Sequence, residues 1–183
     1  LSEAYDVSKF GVIFAGAQKN IGPAGVTIVI VRKDLVGKAR EITPVMLNWE
    51  TQAEAASLYN TPPCYSIYIA KLVFEYLKEN GGVPAMQARN EEKAALLYDY
   101  LDQSDLFQAT VAPKDRSLMN VPFVTGNSDL DAKFVAEAAE IGLVTLKGHR
   151  SVGGFRASTY NALPVESVEA LVGVMQEFEN MHK

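Results

Sequence analysis

Three short stretches hold most of the residues whose type and spacing could do chemistry. The first is Ala15-Gly16-Ala17-Gln18-Lys19-Asn20-Ile21-Gly22-Pro23-Ala24-Gly25, in which a single lysine sits among small residues between two apolar runs, residues 12–15 and 26–31. An amine pinned between buried strands is costly unless it is paired, neutralised or used. One use is a Schiff base with a carbonyl cofactor, in which the amine is held as an imine. The other reading is a turn whose lysine points to water, and the spacing leaves both open. The second stretch is Asn60-Thr61-Pro62-Pro63, at the mouth of a long helical pattern. Free N–H groups and the positive end of the helix dipole suit an anion there, and ordinary capping accounts for the same residues. The third is Gly148-His149-Arg150-Ser151-Val152-Gly153-Gly154-Phe155-Arg156-Ala157-Ser158. Its Gly-Gly would let the backbone fold back and bring Arg150 and Arg156 toward one place. Two planar guanidiniums and a histidine suit a small dianionic substrate, while strand alternation alone could leave Arg156 on a solvent face.

The elements that must position these residues follow from the apolar periodicity. Residues 12–15 and 26–31 are β-branched runs bounded by glycine and read as buried strands. Asp34 is expected to cap a short helical turn through Val36 and Ala39, and residues 50–54 to form a helical piece. After the prolines, Tyr65, Tyr68, Ile69, Leu72, Val73 and Tyr76 recur at helical spacing and make one broad apolar face, ended by Asn80-Gly81-Gly82. A second helix over 83–101 has Ala94, Leu97, Tyr98 and Leu101 on one side and Arg89, Glu91, Glu92 and Lys93 mostly on the other. Beyond it the pattern shortens. Strands are predicted at 107–111, 120–125, 143–146 and 155–159. Ser128-Asp129 would cap a helix carrying Phe134, Val135, Ala138 and Ile141. Pro164 would open a last helix whose face is Val168, Leu171, Val172, Met175 and Phe178. His182 would lie in a fraying tail. This order describes an α/β layer with a largely antiparallel sheet and helices on one face.

The chain has 183 residues, 48% of them apolar, enough for a sizeable core. A net charge of −5 argues against nucleic acid as the main partner. One cysteine, Cys64, allows no internal disulfide or cysteine-rich metal site, and it suits a reducing cytosol. No apolar run is long enough to span a membrane, and the first six residues, from Leu1 to Asp6, lack the basic flank and apolar stretch of a signal peptide. Two histidines and one cysteine give no metal spacing. Gly16, Gly22 and Gly25 match neither a Walker nor a dinucleotide pattern, and nothing marks a nucleophile elbow. The chain starts at leucine and reaches a strand within a few turns of backbone, as a fragment of something longer would.

AGAQKNIGPAG, then NTPP before a helix, then NVPF, and finally GHRSVGGFRASTYNA, in that order and spacing, closely resemble the phosphoserine aminotransferase family. The likeness runs from Tyr5 to the last helix. The family is α/β, of the fold-type I, aspartate-aminotransferase-like class that uses pyridoxal 5′-phosphate (PLP). The resemblance implies that this chain is the C-terminal half only. Residues 1–80 would be the end of the large PLP-binding domain with its linking helix, and residues 81–183 the C-terminal small α/β domain. The implied reaction moves an amino group between glutamate and 3-phosphohydroxypyruvate, giving O-phosphoserine and 2-oxoglutarate, in serine and pyridoxine biosynthesis in the cytoplasm. By resemblance Lys19 is the catalytic lysine that forms the Schiff base with PLP and moves the proton. Gln18 contacts the cofactor phosphate, while Asn60 and Thr61 reach the cofactor of a neighbouring subunit, implying a homodimer. Arg156 grips the substrate α-carboxylate, and His149 and Arg150 serve its phosphate or side-chain carboxylate. The family's ring-stacking aromatic, its aspartate at the ring nitrogen and a His-Arg pair have no counterpart here, and residues 64–68 depart from the expected threonine-aromatic run. The 183-residue chain alone is therefore expected to be inactive and to bind PLP weakly or not at all. The competing readings are another fold-type I PLP enzyme and a non-catalytic, dimerising C-terminal domain.

Overall fold

A computed structural model describes residues 3–182, so Leu1, Ser2 and Lys183 lie outside the description, and with them the start of the segment read above against a signal peptide. The described residues divide into two compact units, 3–82 and 83–182.

The first unit carries β1 (Val12–Gly16), β2 (Thr27–Val31), α1 (Trp49–Glu54) and α2 (Cys64–Glu79). The two β-branched runs do pair, antiparallel, with Val12 opposite Val31 and Gly16 opposite Thr27. They are not buried. Their residues are all exposed or half-buried, and Phe14 is 78% exposed. β-branching and bounding glycines mark a strand but do not say what covers it. The apolar face of α2 behaves the same way. Tyr65, Tyr68, Leu72 and Tyr76 are exposed, and the residues α2 buries are Ser66 and Ala70. These two small side chains let the 15–25 segment approach closely. A Cβ on Gly22 would sit 3.6 Å from the Ala70 amide nitrogen, and one on Gly25, at φ +119°, would sit 3.0 Å from Ser66 Oγ.

The caps in this unit differ from expectation in instructive ways. Asp34 caps nothing, because its carboxylate is held by Arg32 beside a 3-10 turn at Lys33–Leu35. Asn48 caps α1 by accepting from Glu50 N at 3.0 Å. Asn60 is not the cap of α2. Pro62 and Pro63 hold the preceding backbone extended, so α2 starts at Cys64 with Pro63 at the cap and no side-chain bond. The Asn60 amide instead donates to Thr61 O at 3.2 Å.

The second unit is α3 (Gly82–Leu101), β3 (Gln108–Ala109), β4 (Asn120–Val124), α4 (Ser128–Glu140), β5 (Phe155–Ser158) and α5 (Val165–Met181). Its three strands form an antiparallel sheet in the order β3-β4-β5. Alternation sends Val121, Phe123, Phe155 and Ala157 inward and leaves Arg156 outward and exposed. The helices fold over that one inner face. Phe107, Phe123, Phe134, Phe155 and Phe178 pack edge-on or tilted, with centroids from 4.9 to 6.1 Å apart among neighbouring rings. Leu97, Leu101, Val168 and Met175 close the cluster.

Four expectations fail here for local reasons. The 143–146 strand does not form, because Thr145 takes φ 64°; only Lys147 bridges Phe155, and Leu146 O accepts from Arg156 N. The 107–111 strand shrinks to two residues. The cap of α4 is Asn127, one position early, whose Oδ1 accepts from Asp129 N and Leu130 N. His182 does not fray but stacks on Phe178 at 4.1 Å, with Nδ1 2.7 Å from Phe178 O. Among the described residues no helix is long and apolar enough to cross a membrane.

Candidate active site

Lys19 lies on the tight turn that leaves β1. Ala17, 1% exposed, anchors this turn: its N–H donates to Val26 O at 3.0 Å, and its carbonyl accepts from Lys19 N and from Gly22 N at 2.6 and 2.9 Å. Ser66 Oγ on α2 donates to Ala24 O at 3.0 Å and ties the far end of the turn to the helix. The side chains of Gln18 and Lys19 are exposed. The amine is therefore presented from a fixed backbone and is not pinned between buried strands, because neither strand of the ribbon is buried. Small residues at 15–17 and 22–25 make the approach to α2 possible; a larger set would hold the turn off the helix.

Asn60 and Thr61 are exposed. Asn60 borders a depression of about 470 Å³ with Thr27, Trp49, Gln52, Ser57 and Pro63, in the same unit as Lys19, but Lys19 is not among its walls. The structure thus gives Asn60 and Lys19 separate surroundings.

The third stretch closes on itself. Gly148 N donates to Gly154 O at 2.8 Å, and Val152 N and Gly153 N both donate to His149 O at 2.9 Å. A side chain at Gly148 would collide with the Gly153 carbonyl. His149 Nδ1 lies 2.7 Å from Ser151 Oγ. With Lys147 and Arg150, His149 lines a depression of about 460 Å³ beside the start of α4, where Ser128 and Asp131 form the opposite wall. Asp131, whose carboxylate accepts from Thr125 N and Oγ1 at 3.0 and 2.7 Å, is the one carboxylate in these walls, against the two cations Lys147 and Arg150. Arg156 lines a different depression, of about 300 Å³, with Leu143, Thr145, Ser158, Thr159 and Leu163. The Gly-Gly reversal does not bring the two guanidiniums into one cavity. The reversal pairs Gly148 with Gly154 and carries Arg150 toward α4, while ladder alternation fixes Arg156 on the outer side of β5.

Sequence reasoning missed one group of polar residues altogether. Lys93, assigned to the solvent side of α3, is fully buried, and its Nζ donates to the carbonyls of Thr159, Tyr160 and Leu163. Burial first, and then the charge of Arg89, pull its pKa below that of an ordinary lysine. Asn90, also fully buried, donates to Asn161 Oδ1 at 2.8 Å. The signal was present in the spacing: 86, 90, 93, 97 and 101 form one stripe, and residue type alone removed Lys93 from it. Glu179 is likewise buried and joins α5 to the end of α3, accepting from Tyr100 Oη, Ser104 Oγ and Asp105 N at 2.6, 2.7 and 2.9 Å. Burial, and then that carboxylate, push the Tyr100 phenol well above its ordinary pKa.

With this geometry in view, the class is settled by a family match. The profile of the aminotransferase class-V family matches residues 1–171, and the chain belongs to that family. It is 60% identical over 183 residues to a phosphoserine aminotransferase of Listeria monocytogenes, a match covering 100% of this chain and 50% of that protein. The phosphoserine aminotransferase structure from Bacillus circulans subsp. alkalophilus superposes with a TM-score of 0.96 at 46% identity, over 100% of this chain and 51% of the other. A PLP-bound phosphoserine aminotransferase from Trichomonas vaginalis gives 0.90 at 43% identity, over 96% and 51%. The chain spans about half the length of the curated relatives it matches.

These matches correct two expectations. The likeness is not confined to a C-terminal part, since the family match starts at residue 1 and covers nearly the whole chain. Nor is the fold adequately described as the end of a large domain plus a small one. Structural agreement with the aminotransferases runs through both units, over 100% of the chain in the Bacillus case.

Proposed function

We propose that this chain carries the cofactor lysine and the anion-binding residues of a PLP-dependent phosphoserine transaminase, active as a homodimer in the cytoplasm. In this reading an amino group passes between glutamate and 3-phosphohydroxypyruvate, serving serine and pyridoxine synthesis. The observation that carries it is the Ala17-anchored turn presenting Lys19, in a chain 60% identical along its full length to an aminotransferase of that specificity.

The donor set fits the cofactor: an exposed primary amine, the Gln18 amide beside it, and Asn60 and Thr61 at the mouth of α2, with no carboxylate among them to repel a phosphate. When bound, PLP supplies the electron sink that makes the substrate Cα–H acidic. Lys19 would hold the cofactor through its amine, and the same amine would move the proton at the substrate Cα. Gln18 binds the cofactor phosphate within the same chain, and Asn60 and Thr61 bind that of a second copy. Arg156 orients the substrate by pairing with its α-carboxylate. His149 and Arg150 take the phosphate of phosphoserine or the side-chain carboxylate of glutamate, so one basic depression serves both small anionic substrates. Residues 3–82 form the cofactor-bearing part and residues 83–182 the substrate-anion part. Alone, this chain is expected not to turn over, because no ring-stacking aromatic or carboxylate for the ring nitrogen is identified in it.

The test is incubation with PLP, borohydride reduction and peptide mapping, both of this chain and of the assembled holoenzyme. A pyridoxyl mass on Lys19 supports the reading, and a holoenzyme labelled at another lysine overturns it. Turnover of phosphoserine by this chain alone would refute the expected inactivity. The exposed Phe14, Tyr65 and Tyr68 favour a second reading, a non-catalytic dimerising role. A dimer by size-exclusion chromatography that forms equally with and without PLP, and takes no label, would favour it.

A further inference from the structure

Lys93 has no place in the chemistry above, yet it is a fully buried ammonium whose partners are all backbone carbonyls. An ammonium has three N–H donors. Here they go to Thr159 O at 3.2 Å, Tyr160 O at 2.8 Å and Leu163 O at 3.1 Å. One turn earlier on α3, Asn90 donates to the side chain of Asn161 at 2.8 Å. Together they hold four of the six residues that link β5 to α5. For stability alone an apolar residue of similar volume would serve as well or better, since desolvating a charge is expensive. What an apolar residue could not do is fix three carbonyls of an irregular segment in one arrangement.

That segment is adjacent to the proposed substrate arginine. It starts one residue after β5, whose second residue is Arg156. Thr159 and Leu163, two of the residues whose carbonyls Lys93 holds, also line the depression that Arg156 borders. Thr159 is further fixed by its N–H to Met119 O at 2.9 Å, so the clamp and the sheet edge meet at one residue.

We propose that Lys93, assisted by Asn90, is a positioning residue for Arg156: it locks the 159–163 segment and so sets the end of β5 and the wall of the depression into which the substrate carboxylate is drawn. The proposal rests on the reading of Arg156 given above. Lys93 acts through the segment and touches no substrate.

The test substitutes Lys93→Met, which keeps the length and removes the donors. In the full chain, hydrogen exchange at the Thr159 and Leu163 amides should quicken about tenfold while that at Val121 and Phe123 is unchanged. In the holoenzyme, KM for glutamate should rise about tenfold with kcat within about threefold, the signature of lost substrate binding. A lysine that merely stabilised the fold would lower the melting temperature and leave KM alone. Arg156→Gln separates the two ideas. If it raises KM for glutamate and Lys93→Met does not, the positioning role is overturned and the arginine assignment stands. If Arg156→Gln leaves KM unchanged, the arginine assignment fails and the positioning role fails with it. Should Lys93→Met not fold, Asn90→Leu removes only the bond to Asn161. About a threefold rise in KM then supports the proposal, and an unchanged KM overturns it.

Discussion

The two units hold themselves together differently. Residues 83–182 bury five phenylalanines and several aliphatic side chains in one cluster, and also bury four hydrogen-bonded polar residues, Asn90, Lys93, Thr159 and Glu179. Residues 3–82 bury only Ala17, Ser66 and Ala70 among those described, and expose Phe14, Tyr65, Tyr68 and Leu72. Each fully buried large apolar side chain contributes about 1.5–3 kcal/mol, so the second unit has an internal driving force that the first lacks. The first relies on backbone pairing, on a glycine-to-serine approach and on short turns. It is the unit that presents Lys19. A cofactor lysine needs exposure and a fixed backbone, while an anion depression beside a packed sheet needs a rigid wall.

The largest effect expected from this contrast comes from paired substitutions in the two units. Phe155→Ala should cost about 3–5 kcal/mol of unfolding free energy in urea, because it opens the aromatic cluster at its centre. Phe14→Ala, at a 78% exposed position, should change stability by no more than about 0.5 kcal/mol. Equal costs would break the comparison. Next in size is Ser66→Ala, which removes the bond to Ala24 O and should cost about 1 kcal/mol. Its effect should be local, seen as faster amide exchange at Ala17 and Gly22 with no change in α5. Acceleration throughout the second unit would show the two parts to be one cooperative body.

The smallest effect is electrostatic. Hydrogen bonding by Arg116, and then its charge, hold Asp102 below the usual carboxylate range. A carboxyl whose folded pKa is depressed adds stability above its unfolded value, near 3.8, and loses it as pH falls through the folded value. Asp102 is half exposed, so solvent screening limits Asp102→Asn to less than about 1 kcal/mol at neutral pH. The difference from the parent chain should vanish in acid; a penalty that persists there would point to packing, with Arg116 lying over Tyr98 at 4.4 Å as the contact disturbed.

Much of this was legible in the chain itself. Helices α2 and α4 stop where Asn80-Gly81 and Gly142 said they would, and α5 starts after Pro164, to within a residue or two, because cap and turn chemistry acts over a few neighbouring residues. The aromatic core of the second unit was readable from helical spacing at 134–138 and 168–178. Strand 143–146 was not, since a β-branched run carries no mark that Thr145 must take a positive φ to let residues 146–148 meet 154–156. Burial of the first unit's strands and of the α2 face was misjudged because periodicity shows which side is apolar, not whether anything lies against it. The three candidate stretches were visible as residue types out of keeping with their surroundings. Their separation into distinct depressions was not.

By itself the sequence determined the kinds of element, the stretches able to do chemistry, and, through order and spacing, the likeness to aminotransferases. These depend on neighbours along the chain, where geometry is set by a few dihedral angles. Only the tertiary structure decided that Lys93 is the buried lysine and Lys19 the exposed one, that Asn60 does not cap its helix, and that Arg150 and Arg156 face different cavities. Each of those outcomes depends on which distant carbonyls and side chains converge on a point, and no local propensity carries that information.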